Sequence, residues 1–300
     1  MRLLNKFLDI ILIMAFGTSS IAQNSYDVSQ NNSKPTVADQ HAYVVDYEYE
    51  NRILDFSFVR PDDILWTKRY LNIIELKERV NLPLYFPTSP VSMGRGKYRT
   101  SLSHLLIEKV KLGEITAYDE TPQDYFTEII TPEELSKMLS RVDSALEYDL
   151  DTGDEYMGYD TINITASDAR SFYVLEDRFF DKKRSVLDSR IIGLALIANK
   201  QDPETGEISP EVLFWVWYPE VRQILANNYL LLDNQKYLGT HYMTYDEFLT
   251  KRLFTSRIIK ETNMYDRAIY EYKKTPMHQL LEADRIKNDI RYLESDLWEY

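Results

Sequence analysis

The sequence predicts an α+β fold: N-terminal helices, a central antiparallel sheet with a long hairpin, and long C-terminal helices. Three observations carry that prediction. Stretches at 171–180, 186–198 and 212–218 are rich in β-branched and aromatic residues, whereas the flanking thirds repeat their apolar residues at helical spacing. Helix starts are well marked, by Thr131-Pro132-Glu133-Glu134, by Thr244 with Glu247, and by Thr275-Pro276. Between the second and third strand-like stretches stands Asp202-Pro203-Glu204-Thr205-Gly206, a strong turn signal. Helices, then strands, then helices is the order of an α+β domain.

The elements follow in order. Asp62 and Asp63 stand after Pro61 where acids favour a helix start, and Trp66, Tyr70, Ile73 and Ile74 fall on one helical face. A second helix opens at Thr100 or Ser101, carries Leu102, Leu105, Leu106 and Val110, and stops at Gly113. A third begins at the Thr131 capping box and keeps helical spacing through Leu135, Met138, Leu139, Val142 and Leu146. The last two strand-like stretches pair across their turn as an antiparallel hairpin. Pro219 then starts a short helix through Ala226. Thr244 and Glu247 cap a long helix expected to reach about Lys273. The last helix runs from Pro276 towards Tyr300, with Ala283, Ile286, Ile290, Leu293 and Leu297 as a stripe docking on its own domain. Two heptads are too few for a coiled coil.

The N-terminus reads as an address. Arg2 and Lys6 precede a short apolar run ending at Phe16, and Ser20-Ile21-Ala22 prepares a cut before Gln23. Residues 1–22 are thus expected to be a cleaved signal peptide and 23–42 a flexible polar leader. Residues 43–300 are expected to form a single globular domain, with a possible subdivision near 165. No cysteine follows the cut, so the expected product is exported and soluble, without a thioether-linked lipid.

Composition excludes several classes of function. With 35 basic and 48 acidic side chains the net charge is −13, which repels nucleic-acid backbones. The complete absence of cysteine removes disulfides, cysteine-ligated zinc and thiol catalysis. His41, His104, His241 and His278 form no H-E-x-x-H pair, and His241 is expected in a loop. No cofactor or metal is expected. Gly94-Arg95-Gly96-Lys97 lacks the spacing of a phosphate loop and reads as a basic loop suited to an acidic partner surface. The acidic run at 149–154 departs from a calcium loop at Gly153 and Asp154, and again at Asp160. Paired carboxylates with aromatic neighbours keep a carbohydrate-active or peptidoglycan-binding protein of the periplasm open as the alternative.

A series of short stretches then points one way. They are Asp62-Asp63-Ile64-Leu65-Trp66, Asn81-Leu82-Pro83-Leu84-Tyr85-Phe86-Pro87 and Gly113-Glu114-Ile115-Thr116-Ala117-Tyr118-Asp119. Arg184-Ser185-Val186-Leu187-Asp188, Leu213-Phe214-Trp215 with Tyr218-Pro219-Glu220, and Lys260-Glu261-Thr262-Asn263-Met264-Tyr265-Asp266-Arg267 follow, and Asp296-Leu297-Trp298-Glu299 closes the series. In this order they resemble the GldN/PorN family of gliding-motility and type IX secretion proteins over roughly 62–300. Leu71 and Asn72 depart from the residues common in that family. The resemblance implies a non-enzymatic periplasmic subunit of a ring beneath the outer membrane. Implied partners are a GldK/PorK-type outer-membrane lipoprotein, a GldM/PorM-type inner-membrane motor protein, and copies of the chain itself. Trp66, Arg69, Tyr85, Trp217 and Trp298 are the interface candidates, since aromatics and Arg are enriched at interfaces. Arg184, Asp188 and Arg190 are candidates for ion pairs across a strand, within the chain or between subunits.

Overall fold

A computed structural model describes residues 53–94, 97–120, 125–148, 155–201, 208–233 and 240–298. The signal peptide, the polar leader, Arg95 and Gly96 of the basic loop, the acidic run at 149–154 and the turn at 202–206 lie outside the described residues. Residues 50–300 form one compact unit.

In chain order the strands are β1 (Ile64–Glu75), β2 (Val91–Gly94), β3 (Lys97–Arg99), β4 (Ala117–Tyr118), β5 (Ser140–Tyr148), β6 (Glu155–Asn163), β7 (Ala169–Asp181), β8 (Val186–Gln201), β9 (Ile208–Trp217), β10 (Tyr229–Asp233), β11 (Thr240–Thr244) and β12 (Arg257–Glu261). The α-helices are α1 (Leu82–Tyr85), α2 (Leu102–Lys111), α3 (Pro132–Met138), α4 (Tyr218–Ala226), α5 (Tyr245–Thr250), α6 (Ile269–Tyr272) and α7 (Pro276–Trp298). Six strands form an antiparallel sheet in the order β12-β1-β7-β8-β9-β4. The fold is α+β, with the expected hairpin as β8 and β9 and the expected long helix at the C-terminus.

Residues opposite each other across a ladder share a face. On one face lie Ile74, Phe172, Val174, Ile191, Leu194, Leu196, Phe214 and Val216, which bury against α2, α4 and α5 in the main core. Towards the β12 edge of that same face, Tyr70 and Ile258 bury against Ile269 of α6 and Ala283, Ile286 and Ile290 of α7. The last helix therefore docks on its own domain through the first part of its expected stripe. The opposite face carries a smaller aromatic cluster around the fully buried Trp215, with Tyr118, Tyr125, Phe126 and Tyr173. Gly193 of β8 is what lets Phe126 lie there, because a Cβ would come within 2.2 Å of its ring.

Several expectations are corrected. The helix expected after Pro61 is a single 3-10 turn, Pro61–Asp63, followed by the twelve-residue strand β1. Trp66, Tyr70 and Ile74 occur four apart, a spacing that also repeats a two-residue period, and pairing to β7 along the whole strand decides between them. The third helix starts as expected, with Thr131 and Glu134 exchanging capping bonds, but ends at Met138. Val142 and Leu146 belong to β5, paired to β6. The long helix expected from Thr244 to about Lys273 stops at Thr250. Beyond it β12 pairs with β1, and only the short α6 follows. Ile258 and Ile259 are better strand formers than helix formers, and the edge of β1 is there to receive them. His241 lies in β11 rather than in a loop.

Between the main core and the α7 cluster stands a buried charge. Glu176 is fully buried and accepts from Arg178 Nε at 2.9 Å and from Arg252 Nη2 at 3.0 Å, while Arg252 Nη1 bonds its second oxygen and Ser189 Oγ. Burial pushes the carboxyl up, but the two guanidiniums outweigh it and hold Glu176 below the ordinary carboxylate range. Nearby on the same face of β1, buried Asn72 has no hydrogen-bond partner for its side chain among the described residues. Leaving amide groups unpaired in a core is costly, and β-branched residues suit strands. Asn72→Val is therefore expected to raise stability by about 1 kcal/mol, read as a higher urea midpoint.

Candidate interaction surface

The face opposite the large helices carries one row of charge across three strands. Arg69 of β1 stands beside Asp177 of β7, which stands beside Arg190 of β8. Arg69 grips Asp177 with two bonds, 2.7 Å from Nε and 3.0 Å from Nη2. The Arg190 guanidinium lies 5.0 Å over the Phe179 ring and 5.3 Å over Phe56, and donates to the Ser57 carbonyl. Arg222 of α4 lies 4.2 Å over the same Phe56 ring and donates to the Leu54 carbonyl. Two arginines thus strap the segment entering β1 and leave Leu54 and Phe58 exposed. Because Arg69 is exposed and Asp177 is half-buried at the surface, Arg69→Ala is expected to cost under about 1 kcal/mol of stability. Loss of assembly by that variant at an unchanged thermal midpoint would mark Arg69 as a contact residue, and intact assembly would remove it from the interface.

Beside Arg69 opens a groove of about 440 Å³. Leu71, Leu175 and Ile192 line it, with Tyr125, Phe126 and Thr127 from one segment and Lys260, Glu261, Thr262 and Asp266 from another. Its charges are already matched: Lys260 with Asp266 at 2.9 Å, Lys68 with Glu261 at 2.7 Å, and Arg69 with Asp177. Burial draws the Lys260 ammonium down, but Asp266 outweighs it and holds the charge. Burial pushes the Tyr125 hydroxyl up, with Lys260 opposing and Asp266 adding to the rise. A groove so balanced selects neither anions nor cations; it offers shape and mixed polarity, which suits contact with another chain.

Following β12, the chain makes a turn built on one side chain. Asn263 donates from Nδ2 to the carbonyls of Glu261 and Arg267, and its Oδ1 accepts from the N–H groups of Tyr265 and Arg267. Asp266 takes the left-handed conformation, φ 50°, which Asp tolerates better than most residues. Arg267 lies 4.3 Å over the Tyr265 ring. The turn displays Met264, 93% exposed, and Tyr265, 69% exposed, beside the exposed charges of Asp266 and Arg267.

Around β4 there is the reverse shape. A groove of about 490 Å³ is lined by Val110, Ile115, Ile130, Leu135 and Leu139, all buried. Leu112 and Ile129 stand on it with 61% and 65% of their surface exposed. Gly113, at φ 72°, turns the chain at the end of α2.

A family model described as "Gliding motility associated protein GldN" matches residues 59–299. The chain belongs to the GldN family. No curated protein sequence matches it. Membership makes this GldN-family chain a gliding-motility-associated protein, and the match runs over all the strands and helices named above.

In this GldN-family fold the sequence candidates scatter. Trp66 is half-buried against the α7 cluster, and Tyr85 donates to the Ser167 carbonyl at 3.1 Å. Arg184 pairs within its own hairpin, to Asp181 at 2.6 Å and Asp188 at 3.1 Å. Trp217 ends β9 with 45% of its surface exposed. The side chain of Trp298 lies outside the described residues. Only Arg69 and Arg190 share the charged row with each other. Sequence reasoning passed over Met264 and Tyr265 as candidates because it placed them inside a long helix. An Asn three residues before an Asp is the turn chemistry that would have found them.

Proposed function

We propose that this GldN-family chain is a non-enzymatic ring subunit of the type IX secretion and gliding-motility machinery. It works in the periplasm, held at the outer membrane by a GldK/PorK-type lipoprotein and coupled to a GldM/PorM-type inner-membrane motor protein. The observation that carries this reading is the family match over 59–299. Supporting it are the exposed apolar side chains gathered on built features, since large apolar groups displayed on rigid turns are the anchors of protein interfaces. Arg69 and Trp217, both exposed, are the best placed of the sequence candidates to meet a partner.

The test uses native complexes extracted from outer membranes through a tag at the C-terminus of this chain. Rings that contain a lipoprotein and retain the motor protein's periplasmic part are the expected result, by electron microscopy and mass spectrometry. A lone monomer without companions would sink the proposal.

A further inference from the structure

We infer that the N-terminal end of α2, together with Arg99, Thr100 and Ser103, is a binding site for a phosphate-type oxyanion.

The stretch leading into α2 is electropositive. In a chain of net charge −13, residues 79–107 contain Arg79, Arg95, Lys97 and Arg99 and no Asp or Glu. Strand β3 ends at Arg99, and the ten-residue helix opens two residues later behind the Ser101 cap. The first N–H groups of a helix carry the positive end of its dipole and point at whatever stands before it.

Buried donors at this end have no acceptor. Ser101 Oγ takes the His104 N–H, and Leu105 N–H makes the first bond back to the Ser101 carbonyl. The N–H groups of Leu102 and Ser103 fall before that bond and have no acceptor among the described residues. Ser103 is fully buried with its Oγ unpaired, and Thr100, 8% exposed, leaves its Oγ1 unpaired as well. Arg99 Nε is buried and unpaired, and no carboxylate meets its guanidinium among the described residues. Side chains of a first helical turn lean back towards the N-terminus, which carries the Ser103 hydroxyl to the end where Thr100 stands. Tyr245 locates Arg99 there too. Its hydroxyl donates to the Thr100 carbonyl, and the Arg99 charge pulls its pKa down against the larger rise from burial.

A guanidinium, two hydroxyls and two peptide N–H groups thus share one helix end without an anion. Leaving so many polar groups unpaired in a core is costly, and one oxyanion can accept from all of them. The number of donors favours phosphate over a carboxylate, which offers about four lone-pair positions. Arg99 is half-buried, so the site opens along its side chain.

Free phosphate and a lipid phosphomonoester present the same chemistry, and two arms separate them. The tagged full-length chain is dialysed against radiolabelled inorganic phosphate at constant ionic strength, and sedimented with phosphatidylcholine vesicles with and without phosphatidic acid. Saturable phosphate binding is expected, with a higher thermal midpoint in phosphate than in chloride. Binding without sedimentation identifies the free ion. Sedimentation only with phosphatidic acid, competed by phosphate, identifies the headgroup. Arg99→Gln and Ser103→Ala should each weaken binding about tenfold or more. Ser103→Ala removes a buried hydroxyl that has no partner, so its midpoint in chloride should not fall below that of the unaltered chain. That control separates lost binding from lost folding. No binding in either arm, or binding unchanged in either variant, would overturn the site.

Discussion

Glu176→Ala is expected to destabilise the fold by about 3–5 kcal/mol, the range for breaking a buried ion pair from one side. The carboxylate is fully buried and is the common acceptor for Arg178 and Arg252. Removing it leaves two guanidiniums near each other, with Ser189 Oγ as the remaining side-chain acceptor for Arg252 among the described residues. Arg252 sharpens the test. It sits just past α5 at φ 54°, a position where helices usually end in Gly. By backbone preference alone Arg252→Gly should stabilise. It is expected to destabilise instead, because Glu176 would then keep a buried charge with one partner fewer. A gain in stability from Arg252→Gly would show that the ion pair contributes nothing net.

The same carboxylate sets a pH dependence. Its native pKa lies below the unfolded value, so its contribution is complete above about pH 4.3. It is lost as pH falls through the depressed native value. Asp181, held down mainly by Arg184, and Glu282, held down mainly by Arg285, shift in the same direction. Urea unfolding should therefore weaken steadily in acid, and Glu176→Gln should be less stable at neutral pH with a shallower acid decline. Parallel curves for the two proteins would refute the assignment of this limb to Glu176.

Asn81→Ala is expected to cost about 3 kcal/mol, roughly 1 kcal/mol for each of three hydrogen bonds. Buried Asn81 donates from Nδ2 to the carbonyls of Glu75 and Thr255, both at 2.9 Å, and accepts from the Thr255 N–H at 2.9 Å. It pins the end of β1 to the segment that leads from α5 into β12. Asn81→Asp should be worse than Asn81→Ala, because a carboxylate cannot donate to two carbonyls and would be buried as a charge. Equal midpoints for Ala and wild type in urea would discard the clamp.

What the sequence determined on its own is local. Ser101 accepting from the His104 N–H, Gly113 after α2, the Thr131–Glu134 exchange, and Thr244 accepting from the Glu247 N–H all stand where residue chemistry put them. The β8–β9 hairpin and the helix from Pro276 were legible for the same reason: caps, turns and periodic stretches act through neighbours in the chain. Family membership was legible as well, because an ordered set of short stretches survives without any coordinates.

What only the tertiary structure decided is where an apolar segment finds its partner. Residues 64–75 and 257–261 satisfy a helical pattern in isolation, yet each is a strand because a long neighbouring strand offers its backbone groups and a core face. The exposed turn on Asn263 and the groove beside β4 belong to the same class. The turn has no periodic signature, and the groove gathers Val110 of α2 with Leu135 and Leu139 of and after α3, a juxtaposition that no local preference encodes. Local chemistry marks where elements begin; long-range pairing decides what they become and which surfaces face outward.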